Sequence, residues 1–134
     1  VTSHANEARG EVDIVLGKKR RVLRPSYEAI IAIEKLTGHS LRDLTVMANA
    51  VRMPLETMSI VVAELIRAGA AADDVGARHG QADGWGKLIY RVGIPSVSAR
   101  LLIVLTAALT GGATAEGELM PVAENGQIDT AIGD

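Results

Sequence analysis

Glu11-Val12-Asp13-Ile14-Val15-Leu16-Gly17-Lys18-Lys19-Arg20-Arg21-Val22-Leu23-Arg24-Pro25-Ser26 is the stretch that decides the fold, because the apolar period changes within it. From Glu11 to Leu16 apolar and acidic residues alternate. Val12, Ile14 and Leu16 fall on one face and Glu11 and Asp13 on the other, as a half-buried strand requires. Gly17 tolerates positive φ, so Gly17-Lys18-Lys19 supplies a turn, and Arg20 to Arg24 is expected to return as a second strand carrying Val22. Two strands alone are marginal in water, so helices must cover their apolar face. Pro25-Ser26 marks the switch of period: Ser26 is placed to cap a helix in which Tyr27, Ile30, Ile31 and Ile33 recur at helical spacing until Thr37-Gly38.

Beyond this stretch the helical period persists. Ser40 begins a second helix, with Asp43 as the shorter-acid variant of a capping box and Leu41, Leu44, Met47, Ala48 and Val51 as its buried stripe. Pro54 opens a third at a position where its missing amide does no harm. There Leu55, Met58, Ile60, Val61, Val62, Leu65 and Ile66 cover most of the circumference before Gly69, which suggests a central helix or one shared with a partner. Asp73-Asp74 read as first-turn acids of a short helix to about His79, whereas Gly80, Gly84 and Gly86 are expected to interrupt the chain around Trp85 before helical patterning resumes from Lys87 to Val92. A last helix is expected from Pro95-Ser96 to about Leu109, stopped by Gly111-Gly112. The expected fold class is therefore α+β, mostly α: an N-terminal β-hairpin packed on a bundle of about four to five helices. A single domain over residues 11–110 is flanked by a flexible N-terminus, 1–10, and an acidic, flexible C-terminal tail, 111–134.

Composition bounds the rest. The 134 residues fit one domain, and their 48% hydrophobic content is almost wholly aliphatic, with no Phe, one Trp and two Tyr. No Cys is present, which removes disulfides, thiolate nucleophiles and Cys-ligated zinc and fits a reducing, cytoplasmic setting. Val1 to Gly10 contains no apolar h-region, and the longest apolar run, Leu101 to Leu105, falls far short of the roughly 20 residues of a membrane span, so neither secretion nor a membrane is expected. A net charge of −2 offers no global attraction to nucleic acid or anionic lipid. Lys18, Lys19, Arg20, Arg21 and Arg24 nevertheless cluster near the start, whereas nothing after Arg100 is basic and Glu116, Glu118, Glu124, Asp129 and Asp134 are acidic. A solvated turn and a solubilising tail account for this asymmetry; charge-guided docking or head-to-tail association is the functional alternative.

No arrangement carries catalysis. His4, His39 and His79 lie in a terminus, a turn and a helix end, without the spacing of a metal site. Ser26, Ser40 and Ser96 fall at helix-cap positions rather than in a nucleophile elbow. Gly80, Gly84 and Gly86 lack the preceding strand and spacing of a dinucleotide loop, and the adjacent carboxylates Asp73-Asp74 point in different directions on a helix. A non-enzymatic protein with no metal and no cofactor is the expectation. One segment, Ala48 through Arg52-Met53-Pro54 to Thr57-Met58-Ser59, mimics a DNA-binding helix-turn-helix. Its would-be reading helix, however, carries Glu56 at its outset and no basic or amide side chain before Arg67, so it offers little to base edges or phosphates.

The segments Val15-Leu16-Gly17, Arg21-Val22-Leu23-Arg24-Pro25-Ser26-Tyr27-Glu28-Ala29 and Ile33-Glu34-Lys35-Leu36-Thr37-Gly38-His39-Ser40-Leu41 resemble small proteins of the tail modules of alphaproteobacterial gene transfer agents and siphophage-like prophages. That family is described as tail tube proteins or tail assembly chaperones. The resemblance spans about Arg9 to Leu109 and is strongest in the hairpin and first helix. Ser26 stands where the family has Thr, Gly80 to Gly86 is looser than its long helix, and the C-terminal tail has no counterpart. The resemblance implies a tail assembly chaperone of the bacterial host cytoplasm that binds the tape-measure protein and meets tail tube subunits. Leu55, Met58, Val62, Leu65, Ile66, Leu101, Leu102 and Leu105 would be docking residues, with Lys18, Lys19, Arg20 and Arg21 as a second docking surface. A structural tail protein retained in the virion, a homo-oligomer and a DNA-binding regulator are the alternatives.

Overall fold

A computed structural model describes residues 10–111. The element order is β1 (Val12–Leu16), β2 (Lys19–Leu23), α1 (Tyr27–Thr37), α2 (Leu41–Asn49), α3 (Leu55–Ala68), α4 (Val75–His79), α5 (Ala82–Val92) and α6 (Ile94–Leu109). The mostly helical α+β class holds, with six helices among the described residues where about four to five were expected. The two ends expected to be flexible, 1–10 and 111–134, lie outside the described residues except for Gly10 and Gly111.

The hairpin is tighter than its sequence suggests. Leu16 pairs with Lys19, so the turn has two residues, Gly17 at φ +67° and Lys18, and Lys19 enters the strand. A two-residue turn with glycine first matches the right-handed twist of the flanking strands, which a three-residue turn meets only with a bulge. Side chains of directly paired residues share a face. The register Ile14↔Arg21 and Val12↔Leu23 therefore sends Arg21 inward with Ile14, Leu16 and Leu23, while Val22 lies on the opposite face with Asp13. Val22 is buried all the same, because Gly69 lies against it: a Cβ there would stand 2.7 Å from the Val22 carbonyl oxygen. Just beyond β2, Arg24 N–H donates to the Leu65 carbonyl at 3.0 Å, fixing the hairpin to the last turns of α3.

Helix boundaries follow local chemistry. Ser26 Oγ accepts from Ala29 N–H at 3.2 Å, and Gly38, at φ +73°, closes α1. Ser40 Oγ accepts from Asp43 N–H at 3.0 Å, while Glu34 of α1 reaches across to accept from Leu41 N–H at 2.8 Å. Two of the first-turn amides of α2 are thus satisfied from two elements. Pro54 is the residue preceding α3 rather than its first residue, and Met58 N–H donates to its carbonyl. Ser96, expected as a cap, lies within the first turn of α6, which begins at Ile94 behind Gly93.

The expected interruption around Trp85 does not occur. Helix α5 runs unbroken through Gly84 and Gly86. Glycine costs roughly 1 kcal/mol in a helix relative to alanine, but at position 86 the missing side chain lets α3 approach, since a Cβ there would collide with Ser59 Oγ. Gly80, at the end of α4, sits equally tightly on the Trp85 ring.

Helix α3 is the axis of the core. Met58, Val61, Val62 and Leu65 are fully buried, and α1, α4, α5 and β2 pack around the helix. A second layer, α6 on α2, closes over β1 and α5 through Val97, Leu101, Val104 and Leu105.

Val51 joins α2 to α3 at φ +54°, among the described residues the one non-glycine with positive φ. Its backbone is held there by a bond from Arg52 N–H to the Met47 carbonyl at 2.9 Å. A left-handed conformation costs an L-residue roughly 1–2 kcal/mol. Since the Val51 side chain is half exposed, Val51→Gly is predicted to raise the unfolding free energy by about 1 kcal/mol in urea denaturation. Leu65→Ala, at the centre of α3, is predicted to lower it by about 2–5 kcal/mol in the same measurement.

Candidate functional site

The docking residues expected from sequence divide sharply. Met58, Val62, Leu65, Ile66, Leu101 and Leu105 are buried. They form the core, so none presents a surface while the domain is folded; the broad apolar circumference of α3 is explained by neighbours on several sides. Leu102 is half-buried and packs against the core, and Leu55, also half-buried, lines an open groove.

Among the basic residues, Lys18, Lys19 and Arg20 are exposed at the hairpin, and Arg20 pairs with Asp13 at 3.1 Å. Arg21 is turned inward and belongs to the fold. Its Nη1 donates to both carboxylate oxygens of Asp74, at 3.0 and 2.9 Å, and its guanidinium carbon lies 5.1 Å from the centre of the Trp85 ring. Asp74 also accepts from Ala77 N–H at 3.0 Å, capping α4. That amide bond, chiefly, holds the Asp74 carboxyl below its ordinary value; desolvation opposes it, and Arg21 and Lys19 add to the lowering. Arg67 anchors the neighbouring segment, donating to the Gly80 carbonyl at 3.2 Å from the end of α3.

The groove lies between α3 and α5. Contacts of Arg67 with Gly80 and of Ser59 with Gly86 set the two helices antiparallel. At their Ser59–Gly86 contact the floor is small, with Ser59 Oγ turned back to donate to the Leu55 carbonyl at 2.7 Å. From that floor the walls open outward to enclose about 770 Å³. Leu55 and Ile60 form the apolar part of one wall, and Ala82 and Tyr90 that of the other. Tyr90 is 74% exposed, a large aromatic side chain left without cover. The rim is charged: Glu56 on α3, and Asp83, Lys87 and Arg91 on α5, with Lys87 and Asp83 3.6 Å apart. A small-residue floor, apolar walls and a charged rim suit an extended or helical segment with an apolar stripe.

Sequence reading missed this groove because it took Gly80 to Gly86 as a break in the chain. The available signal was phase: once α5 is continuous, Ala82, Gly86 and Tyr90 recur every fourth residue on one face.

Candidates for other chemistry are placed as follows. His39 follows α1, His79 ends α4, and His4 lies outside the described residues. No group of three or more His, Asp or Glu able to hold a metal occurs among the described residues. In the helix-turn-helix mimic Met58 and Ser59 are buried, Gly86 of α5 lies on Ser59, and the exposed residue of the first turn of α3 is the acidic Glu56. No single helix among the described residues is long and apolar enough to cross a membrane. No known protein family, curated protein or solved structure matches the chain.

The lowered Asp74 value sets a pH dependence with a definite sign. A carboxyl whose folded value is depressed contributes stability that is present above the unfolded value and lost as the pH falls through the folded one. Asp74→Asn is predicted to lower stability at pH 7 by about 2 kcal/mol and to flatten the loss of stability below about pH 4, both read as urea midpoints across a pH series.

Proposed function

We propose that the protein is a non-enzymatic adaptor that holds an apolar helical segment of a partner in the α3–α5 groove. By the resemblance of its hairpin and first helix, that partner is the tape-measure protein of a phage-type tail. The observation that carries the reading is the uncovered Tyr90 beside Leu55, Ile60 and Ala82, at a contact where Gly86 keeps the floor low.

The physical task fits the geometry. A tape-measure chain is a long helix with exposed apolar stripes until tube subunits surround it, and a partner must cover those stripes reversibly. The groove is open and of modest size, with charges confined to its rim. It can shield one stretch of helix without burying enough surface to make release slow. Lys18, Lys19 and Arg20 remain a second, electrostatic surface at the hairpin, suited to guiding encounter rather than to holding. The place of action in this reading is the host cytoplasm, before the tube closes.

A labelled amphipathic peptide from a tape-measure sequence tests the reading by fluorescence anisotropy. Tyr90→Asp is expected to weaken binding at least ten-fold while Val46→Asp, on the exposed side of α2, leaves it unchanged; equal binding by the Tyr90 variant and the parent sinks the groove reading. Mass spectrometry of purified particles then separates a chaperone, expected to be missing from them, from a structural tail protein, which stays.

A further inference from the structure

We propose that in the absence of a partner the α3–α5 groove is filled by the chain's own acidic C-terminal segment. Leu119-Met120-Pro121-Val122 would lie against Leu55, Ile60 and Tyr90, and Glu116, Glu118 and Glu124 would face Lys87 and Arg91. This rests on the groove being the docking site proposed above and adds its regulation: the partner must displace a built-in competitor.

Charge is the first argument. Residues 10–111 carry thirteen Lys and Arg against ten Asp and Glu, whereas residues 112–134 carry five acidic residues and no basic one. A net-positive body is therefore joined to a segment whose charged residues are all acidic, and linkage raises the local concentration of one for the other to a level a separate ligand rarely reaches. On the rim, Glu56 and Asp83 oppose an acidic segment, which confines its favourable contacts to Lys87 and Arg91. Lys87 is tied to Asp83 only by an exposed pair 3.6 Å apart, and such pairs are weak enough to exchange. Arg91 makes no ion pair among the described residues.

Composition is the second. Leu119-Met120-Pro121-Val122-Ala123 is the longest apolar run in 112–134, and it is bracketed by Glu118 and Glu124. Proline has no backbone N–H to donate, so the docking proposed for this run relies on its apolar side chains over a groove floored by Ser59 and Gly86.

Reach is the third. Only Gly93 separates α5, with Arg91 in its last turn, from α6. The 16 residues of α6 carry the chain about 24 Å from that junction. Leu119 lies eight residues beyond Gly111, enough to return about 27 Å when extended. The apolar run is thus the first part of the segment able to regain the groove.

The test uses the full chain and a fluorescent peptide of residues 112–134 added in trans. The Leu119→Asp/Val122→Asp chain, its groove vacated, is expected to bind this peptide at least ten-fold more tightly than the parent chain, and adding Lys87→Glu/Arg91→Glu to that variant is expected to abolish the gain. Peptide binding that is absent from both chains, or equal in both, overturns the proposal. So does a parent chain whose mass rises with concentration in light scattering while the tail variant stays monomeric, because the segment then fills a neighbouring copy. The tape-measure peptide separates the two readings. If it binds parent and tail variant equally, the competitor is refuted and the docking site stands; if the 112–134 peptide binds the tail variant while the tape-measure peptide binds neither chain, the competitor stands and the partner is wrong.

Discussion

The register of one two-residue turn sets much of this structure. With Leu16 opposite Lys19, the inward positions of β2 are Arg21 and Leu23. Were the strand to slip by one residue, every side chain on it would exchange faces, and Asp74 and Trp85 would lose the guanidinium between them. A cation turned inward is costly unless it is both paired and covered. Here Asp74 supplies two oxygens and Trp85 a ring face, and each brings its own helix, so α4 and α5 are fixed to the hairpin by the need of one arginine. One guanidinium meets both demands, with Nη1 on the two Asp74 oxygens and the central carbon 5.1 Å from the Trp85 ring centre, and the compact ammonium of a lysine would present no planar group to the indole.

The parts of the fold legible in the sequence are those whose signals are local. The alternation that places Val12, Ile14 and Leu16 on one face, the serines at 26 and 40 and the glycine at 38 each act within a few residues, and the structure uses them as read, whereas Glu11, expected on the polar face, precedes the strand and is buried. The parts that were not legible depend on contacts between distant residues. Gly84 and Gly86 look like breakers in isolation, yet Gly86 is repaid by Ser59, twenty-seven positions away. Arg21 looks like one more charge in a basic cluster, and it is the distant partners Asp74 and Trp85 that distinguish it from Arg20, which pairs with Asp13 on the neighbouring strand.

The same limit governed the candidate site. A helix with apolar residues around most of its circumference is either central or shared with a partner, and sequence alone cannot separate the two. Met58, Val62 and Leu65 prove to be the former, so the surface left for a partner is defined by what α3 and α5 fail to cover between them. That surface was hidden behind the glycines: the same small residues that suggested a broken chain bring two helices together and leave room above the contact. The alanine, glycine and tyrosine of α5 share one helical face, on which Gly86 is buried against Ser59, Ala82 is half-buried and Tyr90 is left uncovered, so the groove opens towards the tyrosine.

Trp85 has a further consequence, because it is the chain's single tryptophan and it lies where the hairpin, α4 and α5 converge. Its emission therefore reports the assembly of one junction, whereas far-ultraviolet circular dichroism reports helices distributed along the whole domain. If those two signals change together as the chain unfolds, hairpin docking and helix formation are one cooperative event; if the fluorescence changes first, the hairpin can detach from a bundle that persists. A single indole thus divides the molecule optically into its junction and its bundle.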